Sequence, residues 1–263
     1  MTPLRSILLL NAIACLFLCP FHADAQSYSE KHDGYEIFFT TADRENVGDY
    51  SEMIDNGMKS IEAFFGHPFM NEFKVFVHPQ RSSLDSAWQN DWNMPEFRSE
   101  CWMVASGIAS KLDILSPKQW DSESCEHTYD DSEKTKKLVA HELVHVYHGQ
   151  RNASPDFSAV SGIDWFVEGL AVYASGQLDS LRMAEVRTAV KESRIPDSLA
   201  HFWSGKLKYG LSGSAVKYID TRYGRMMLAD LLPLSNIGEV LSELQISESA
   251  LLADWREFIL SAD

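Results

Sequence analysis

Three residues of one short segment could bind a metal ion and activate water. The segment 138–149 reads LVAHELVHVYHG and places His141, Glu142 and His145 in the order H-E-x-x-H. On a helix, residues four positions apart lie on one face with Cβ atoms ~5–6 Å apart, so both imidazoles can reach one ion. In zinc hydrolases with this spacing, two imidazoles hold the zinc and the adjacent carboxylate takes a proton from the bound water. The motif therefore predicts that His141 and His145 bind Zn²⁺ and that Glu142 is the catalytic base.

The surrounding residues predict the buried helix that this geometry requires. Residues 130–133 read DDSE, which places capping and acidic side chains at a helix N-terminus, where the helix dipole favours them. Apolar side chains occupy most of the other positions: Leu138, Val139, Leu143, Val144 and Val146. A helix that is apolar nearly all round is buried, and there an unpaired imidazole is costly whereas a metal-bound one is not. The alternative is a pair of core histidines with local hydrogen bonds.

A catalytic zinc ion takes three protein ligands and keeps a fourth position open. The longer pattern H-E-x-x-H-x-x-G-x-x-H would supply a third histidine. That pattern fails here, because His148 stands at the glycine position and Arg151 at the last histidine position. The alternative is a glutamate on a following helix, with His148 as the next candidate for the third ligand.

The segment 165–173, WFVEGLAVY, offers a carboxylate, Glu168. It follows a stretch rich in loop-forming residues, and a helix that starts near Asp164 could turn back against the first one. Gly169 and Ala171 are small enough to let the two helices approach closely. Since a carboxylate in an apolar segment is usually paired or bound to a metal, Glu168 is the predicted third ligand.

The sequence HELVH followed by W-x-x-E-G-x-A-x-Y resembles the peptidase MA-like family of gluzincin zinc metallopeptidases. The likeness is strong over residues 138–173 and extends through KYGLSGSAVKYIDTRYG at 208–224 and the closing ADWREFI. The resemblance implies a zinc-dependent peptidase that acts on a peptide or protein substrate. It implies His141, His145 and Glu168 as zinc ligands and Glu142 as the base.

Hydrolysis of an amide also needs a hydrogen-bond donor for the oxyanion that develops. Tyr209 is the candidate, because it opens the helix after the ligand helix and the resembled family places an aromatic hydroxyl there. Tyr173 and Tyr218 are the alternatives.

The rest of the chain predicts an α+β, zincin-like fold. Strand patterns occur at 34–41, 73–78, 102–106 and 110–115, with the last two joined around Gly107. Helical patterns occur at 50–65, 82–89, 181–193, 209–223, 226–232, 237–244 and 249–260. The expected architecture is a small, mostly antiparallel sheet with the active-site helix, followed by a helical C-terminal lobe. Residues 26–263 form one predicted domain, β-containing over 26–130 and helical over 131–263.

One predicted strand, 103–108, could bind the substrate. Peptides commonly add as an extra strand to an exposed sheet edge, and zinc peptidases bind extended substrates in this way. The alternative is an ordinary hairpin with no role in binding.

The N-terminus has the pattern of a cleavable signal peptide. Arg5 precedes an apolar run at 7–19, and Ala23-Asp24-Ala25 forms an A-x-A cleavage site. The run is shorter than the ~20 residues that span a bilayer, and the residues before Cys15 and Cys19 fit a lipobox poorly. We therefore expect a protein that is secreted or periplasmic, cut after Ala25, and without stable membrane insertion.

Charge and cysteine content bear on partners and compartment. The formal net charge of −15 argues against nucleic acid, whose binding needs basic patches. Cys101 and Cys125 remain after signal cleavage, and in an oxidising compartment a disulfide between them is the default. A metal cluster of both cysteines with His127 lacks the usual C-x-x-C spacing. The residues specify no oligomeric state.

Several other residues have two interpretations. Trp88, Trp92, Trp102 and Trp120 cluster in the sequence and could pack in the core, which we favour, or line a cleft. His148, seven positions after His141, is expected to contact a ligand from outside or to form a wall of the cleft.

Two further functions compete with peptide hydrolysis. One is a non-catalytic binding protein on a zincin scaffold, and the other is a zinc hydrolase of a non-peptide amide or ester. The intact Glu142 argues against the first, because a structural zinc site needs no base and usually fills all four positions.

Overall fold

The strands of the protein form one sheet of mixed direction. The computed structural model describes residues 26–261, and within them five strands and ten α-helices give an α+β architecture. The strands are β1 Ser27–His32, β2 Tyr35–Thr40, β3 Phe73–His78, β4 Ala105–Ile108 and β5 Lys111–Leu115. Their order across the sheet is β1-β2-β3-β5-β4, so β4 lies at an edge.

The prediction of a mostly antiparallel sheet is wrong. The hairpins β1–β2 and β4–β5 are antiparallel, but β2–β3 and β3–β5 are parallel. Two helices explain the difference: α1 (Val47–Phe65) connects β2 to β3, and α2 (Arg81–Asp91) follows β3. A helix between two strands carries the chain back to the starting end of the sheet, so neighbouring strands run parallel.

The remaining helices follow the sheet. They are α3 Trp120–Glu123, α4 Ser132–Gly149, α5 Asp164–Ala174, α6 Ser180–Lys191, α7 Lys208–Tyr223, α8 Arg225–Leu231, α9 Ile237–Glu243 and α10 Glu248–Ser261. Every helix that the sequence predicts is present with bounds shifted by a few residues. The predicted hairpin is displaced, because the turn lies between Ile108 and Lys111 and Gly107 belongs to β4.

The helix α4 is the element around which the others pack. It contacts α1, the sheet edge β4 and α5, and α5 in turn packs against α7. One continuous cluster of buried side chains runs from the sheet to the C-terminal helix, and it includes Ile37, Leu143, Trp165 and Trp255. The motif helix is therefore held on several sides before any ligand binds.

The predicted signal segment, residues 1–25, lies outside the described residues. Among the helices of residues 26–261, none combines the length and the apolar character needed to cross a bilayer.

Candidate metal centre

The three predicted metal ligands meet at one point. Nε2 of His141 lies 3.2 Å from Nε2 of His145. Oε2 of Glu168 lies 3.4 Å from the first nitrogen and 3.6 Å from the second. Both imidazoles are buried, whereas the Glu168 side chain keeps 26 % of its exposure and lines a cleft. Within residues 26–261, this is the group of side chains placed to hold a metal ion.

The spacing of the ligand atoms fits a small ion. A tetrahedral ion with bonds of ~2.0–2.1 Å holds its ligand atoms about 3.3 Å apart. The observed separations of 3.2, 3.4 and 3.6 Å agree with that value. Two imidazoles and one carboxylate also form the donor set that leaves a fourth position open. The residues therefore fit a divalent cation without rearrangement of the helices.

Charge complementarity holds the carboxylate against the imidazoles. Burial alone would raise the pKa of Glu168, but His145 and His141 outweigh it and hold that pKa well below its usual range. Burial alone would lower the pKa of His145, but the Glu168 carboxylate outweighs it and raises that pKa. Glu168 is therefore ionised at neutral pH, in the form that binds a cation.

The helix α4 presents both histidines to the same side. Its N-terminus is capped as the sequence predicts, because the Asp131 side chain accepts a hydrogen bond of 3.2 Å from the backbone N–H of Lys134. The rings of His141 and His145 lie one helical turn apart, with centroids separated by 4.9 Å. Nδ1 of His141 is buried and finds no hydrogen-bond partner among residues 26–261. Packing of the helix, rather than an outer hydrogen bond, therefore orients this ring.

The helix α5 brings in Glu168 and starts at Asp164, as predicted. Gly169 was predicted to let α5 approach α4 closely. This prediction is wrong, because the glycine faces α7 and not α4. A Cβ built on Gly169 would lie 2.6 Å from the carbonyl carbon of Ser212, which is too close for any side chain. The glycine lets α5 pack tightly on α7, and this contact fixes the rotation that turns Glu168 toward the histidines.

The carboxylate of Glu142 lines the same cleft, which encloses about 470 Å³. Its side chain is half-buried. It is not one of the three grouped ligands, and it makes no hydrogen bond or ion pair with another residue of the described chain. The structure therefore places an unpaired carboxylate in the same cleft as the three predicted ligands.

The edge strand β4 passes directly over the motif helix. A Cβ built on Gly107 would overlap the carbonyl oxygen of Glu142 and lie 3.2 Å from Cβ of His145. Only glycine lets the strand come this close. The requirement for a glycine at position 107 therefore comes from packing against α4 and not from a turn.

The outer side of β4 offers free backbone groups. The N–H of Leu115 on β5 donates to the carbonyl of Val104 at 2.8 Å. Because bonding alternates along an antiparallel pair, Ala105 and Gly107 point their N–H and C=O groups away from β5. Both residues line the cleft. The predicted segment 103–108 is therefore an edge beside the site.

Tyr209 also lines the cleft. It is the second residue of α7 and is half-buried. Burial raises the pKa of Tyr209 to about 12, and the negative charges of Glu168 and Glu142 add to the effect. The phenol therefore keeps its proton at neutral pH and can donate a hydrogen bond.

The two alternative tyrosines have other partners. The hydroxyl of Tyr173 donates to Asp220 at 2.8 Å, and that of Tyr218 donates to Asp254 at 3.4 Å. Neither side chain lines the cleft. Of the three candidates, Tyr209 is the one that lines the same cleft as the predicted metal ligands.

The tryptophan cluster divides between the two interpretations. Trp88 and Trp120 are each 1 % exposed and belong to the core. Trp92 and Trp102 are each 39 % exposed and line the cleft. The preference for core packing therefore holds for Trp120 and is wrong for Trp92 and Trp102, whereas Trp88 is buried in the core and also lines the cleft.

The expectation for His148 is wrong. Its ring is fully buried, lies outside the lining of the cleft, and hydrogen-bonds through Nε2 to the carbonyl of Leu232 at 3.1 Å. Burial lowers the pKa of His148 to about 3, and the nearby His145 adds to this effect. A neutral His148 packs between Phe157 and Phe166, so it joins the helices and does not hydrogen-bond a ligand.

Cys101 and Cys125 form the predicted disulfide. Their neighbours Trp102, Glu126 and His127 line the cleft, so the bond ties together two segments of its wall. Because both thiols are used, the alternative metal cluster with His127 does not form.

The sequence did not single out Lys208, which stands on the cleft wall. Its Nζ atom lies 4.7 Å from the ring centre of Trp102, 4.6 Å from that of Trp203 and 5.1 Å from that of Tyr209. Trp203 and Tyr209 are close to Lys208 in the sequence, but Trp102 lies about a hundred residues earlier, so the local sequence does not predict its contact with Lys208.

Comparison of the chain with models of known protein families gives no match, and comparison with curated proteins gives none either.

Proposed function

We propose that the protein is a zinc-dependent metallopeptidase of the gluzincin type. The observation that carries the proposal is the spacing of 3.2–3.6 Å among the ligand atoms of His141, His145 and Glu168, with Glu142 beside them. A purely structural zinc site usually fills all four positions with protein ligands and has no use for an adjacent carboxylate. The arrangement is that of a hydrolytic site.

The metal fits the three ligands by number, type and spacing. His141, His145 and Glu168 would hold Zn²⁺, which supplies a Lewis acid that acidifies water and polarises a carbonyl. Glu168 contributes one negative charge, and the neutral imidazoles contribute none. The three side chains would therefore leave a divalent cation with a net positive charge, which would favour a developing negative charge on the substrate.

Glu142 moves the proton. Its carboxylate has no other partner in the described chain, so it can accept a proton from the attacking water and pass it to the leaving amine. The peptide C–N bond breaks as the amine receives that proton. One group thus acts first as a base and then as an acid.

The edge strand positions the substrate. An extended peptide can pair with the free N–H and C=O groups of Ala105 and Gly107, as a further strand of the sheet. Because Gly107 lies against the backbone of Glu142, a peptide paired there passes next to the base. Substrate orientation therefore follows from backbone geometry and not from one side chain.

Tyr209 supplies a neutral donor. Its phenol keeps its proton because its pKa is raised to about 12. A donor in a half-buried wall stabilises the oxyanion that forms during attack on the carbonyl.

Secretion into an oxidising compartment is part of the proposal. The disulfide between Cys101 and Cys125 supports it, since such bonds persist mainly outside the cytoplasm. The acidic charge of −15 suits peptide or protein substrates better than nucleic acid. We expect the protein to act in a periplasm or outside the cell.

A base-deficient variant tests the proposed function. Zinc-loaded protein is incubated with a mixed peptide library, and the products are identified by mass spectrometry. Glu142→Gln should retain zinc and lose about a thousandfold in rate, because general base catalysis typically contributes 10²–10⁴-fold. Glu133→Gln, an exposed change on the same helix, is the matched control and should keep full activity.

The competing functions give different results. Hydrolysis of esters or non-peptide amides, but of no peptide, would indicate the second kind of hydrolase. Zinc binding without hydrolysis of any substrate would indicate a binding protein. Equal turnover by wild type and Glu142→Gln would refute the mechanism.

A further inference from the structure

We propose that Lys208, with Arg182 beside it, forms a carboxylate-binding subsite in this cleft and selects substrates with a negative charge near the cleaved bond. The inference rests on the proposed peptidase function, which it extends to a substrate class. It makes Lys208 a specificity-determining residue.

Aromatic rings hold the ammonium group of Lys208 in place. Trp102, Trp203 and Tyr209 surround it at 4.6–5.1 Å from ring centre to Nζ. Such contacts stabilise a cation electrostatically but accept none of its hydrogen bonds. The three N–H donors of the ammonium group therefore remain available for an oxygen acceptor.

Among the described residues, no acidic side chain lies within ion-pair distance of this ammonium group. The side chain of Lys208 forms no hydrogen bond with another residue between 26 and 261 either, although five carboxylates line the same cleft: Glu126, Glu142, Asp156, Asp164 and Glu168. Another partly buried lysine, Lys111, shows the contrast, because it pairs with both Asp91 and Asp113. A lysine that is held by rings and lacks a counter-charge is an unusual arrangement for a purely structural residue.

Lys208 also stands at an unfavourable position in its helix. Lys208 is the first residue of α7, and the N-cap residue Leu207 provides no side-chain hydrogen bond. The N-terminal end of a helix carries partial positive charge and favours acidic residues, so a lysine there opposes the local preference. Positions that break a local rule are expected at functional sites. The helix end and the ammonium group together place positive charge on this part of the cleft wall.

A second cation lies near the same tyrosine. The guanidinium carbon of Arg182 is 5.8 Å from the ring centre of Tyr209. Arg182 is fixed by a hydrogen bond of 2.8 Å to the carbonyl of Gln177, and Asp179 at 3.5 Å offsets part of its charge. Arg182 therefore adds to the positive potential, while Lys208 carries the unneutralised charge.

The chemistry of the subsite favours a carboxylate. An ammonium group held among aromatic rings has lost part of its water, so a charged hydrogen bond to it is stronger than one at an open surface. The carboxylate could be the C-terminus of a peptide or the side chain of Asp or Glu. Both sources present the same group, and Tyr209 ties the subsite to the place where the bond is cleaved.

Matched peptides test the proposal. Four peptides share one cleavable core: a neutral amide with internal Gln, the same peptide with a free C-terminal acid, the amide with internal Glu, and one that carries both acids. The kcat/KM of wild type should be about tenfold higher for at least one acidic peptide than for the neutral one, since a hydrogen bond to a charged group is worth at least that factor. The acidic peptide that gains identifies the source of the carboxylate.

Three variants complete the comparison. In Lys208→Met, which keeps the length and apolar contacts of the side chain, the preference should fall to about one, and in Lys208→Arg it should largely return. Lys206→Met removes the same charge from an exposed residue outside the cleft lining and should keep the preference. An equal rate for all four peptides, or a preference that survives in Lys208→Met, would overturn the proposal.

The proposed function can fail separately. If wild type cleaves none of the peptides, calorimetric titration of zinc-loaded Glu142→Gln with the same four peptides still measures the subsite. Tighter binding of an acidic peptide that is lost when Lys208→Met is added supports the subsite. Equal binding of all four refutes it.

Discussion

The backbone of Gly107 lies directly against the backbone of Glu142. The carbonyl carbon of Glu142 is 3.0 Å from the place where a Cβ of Gly107 would stand, and no side chain fits there. The contact joins the free edge of the sheet to the helix that carries the base. It therefore sets the distance between a peptide bound on β4 and the Glu142 carboxylate, the proposed acceptor of a proton from the attacking water.

Gly107→Ala should damage both the fold and the site. The added methyl group must push β4 away from α4, and overpacking of this kind costs about 1–3 kcal/mol in the free energy of unfolding. We expect kcat/KM to fall more than stability alone explains, because the strand moves relative to Glu142. Urea unfolding and peptide cleavage measure the two effects.

Gly48→Ala is the matched control for Gly107. Gly48 lies in α1, where an added Cβ would meet nothing within 4 Å. Alanine should leave stability equal or slightly higher, because it favours the helix. An equally mild effect of Gly107→Ala would contradict the close approach of strand and helix.

Removal of the Tyr209 hydroxyl should slow the reaction. Tyr209→Phe keeps the ring and its contact with Lys208 but loses the proposed donor to the oxyanion. The expected loss in kcat is about a hundredfold, the effect of deleting one such donor. Tyr218→Phe, whose hydroxyl binds Asp254 outside the cleft, should keep its kcat. Equal rates for wild type and Tyr209→Phe would remove this tyrosine from the mechanism.

Loss of the disulfide should loosen the cleft wall. The bond closes a loop across a separation of 24 residues, and its removal should cost about 3 kcal/mol. Because Trp102 and His127 adjoin the two cysteines, KM should rise in the Cys101→Ser/Cys125→Ser variant. A reductant should destabilise wild type and leave this variant unchanged. The same response of both proteins to reductant would show that the bond is absent in solution.

The environment of Asp113 indicates how the free energy of unfolding should depend on pH. This buried carboxylate contacts His78 at 2.8 Å and Lys111 at 2.6 Å. Burial alone would raise its pKa, but these two partners outweigh burial and lower it. The pKa of Asp113 in the folded state lies below its pKa in the unfolded chain. The carboxylate therefore stabilises the fold at any pH above its pKa in the unfolded chain. That contribution to stability is lost as the pH falls through the pKa of Asp113 in the folded state.

Asp113→Asn should therefore cost about 3 kcal/mol at pH 7, as the loss of one partner of a buried charge pair does. The difference from wild type should shrink once the pH falls below about 4, where aspartate in the unfolded chain binds a proton. Urea unfolding at the two pH values measures it, with the exposed Asp121→Asn as the neutral control. A difference that stays constant with pH would contradict the role of ionised Asp113.

The grouping of the three candidate metal ligands was predictable because it follows short-range rules. His141 and His145 are one helical turn apart, and their apolar neighbours predict a buried helix. Glu168 could be found because a charge in an apolar helix needs a partner. The three side chains meet in the structure as those rules require.

The misplaced features depend on distant contacts. Gly107 looks like a turn residue in the sequence, but its role comes from its contact with α4. The contact of Lys208 with Trp102 likewise joins residues far apart in the chain. The strand β1, Ser27–His32, carries mostly exposed polar residues and has no apolar alternation to reveal it. The parallel strand pairs were missed because the order of strands in a sheet is a property of the whole topology.

The metal content of the purified protein tests the central proposal most directly. Wild type, Glu168→Ala and Glu142→Gln are supplied with zinc, freed of excess metal, and analysed by elemental mass spectrometry. We expect one zinc per chain in wild type and in Glu142→Gln, and loss of most of the zinc in Glu168→Ala, because that variant lacks one of three ligands. Wild type without bound zinc, or Glu168→Ala with zinc unchanged, would contradict the proposed site.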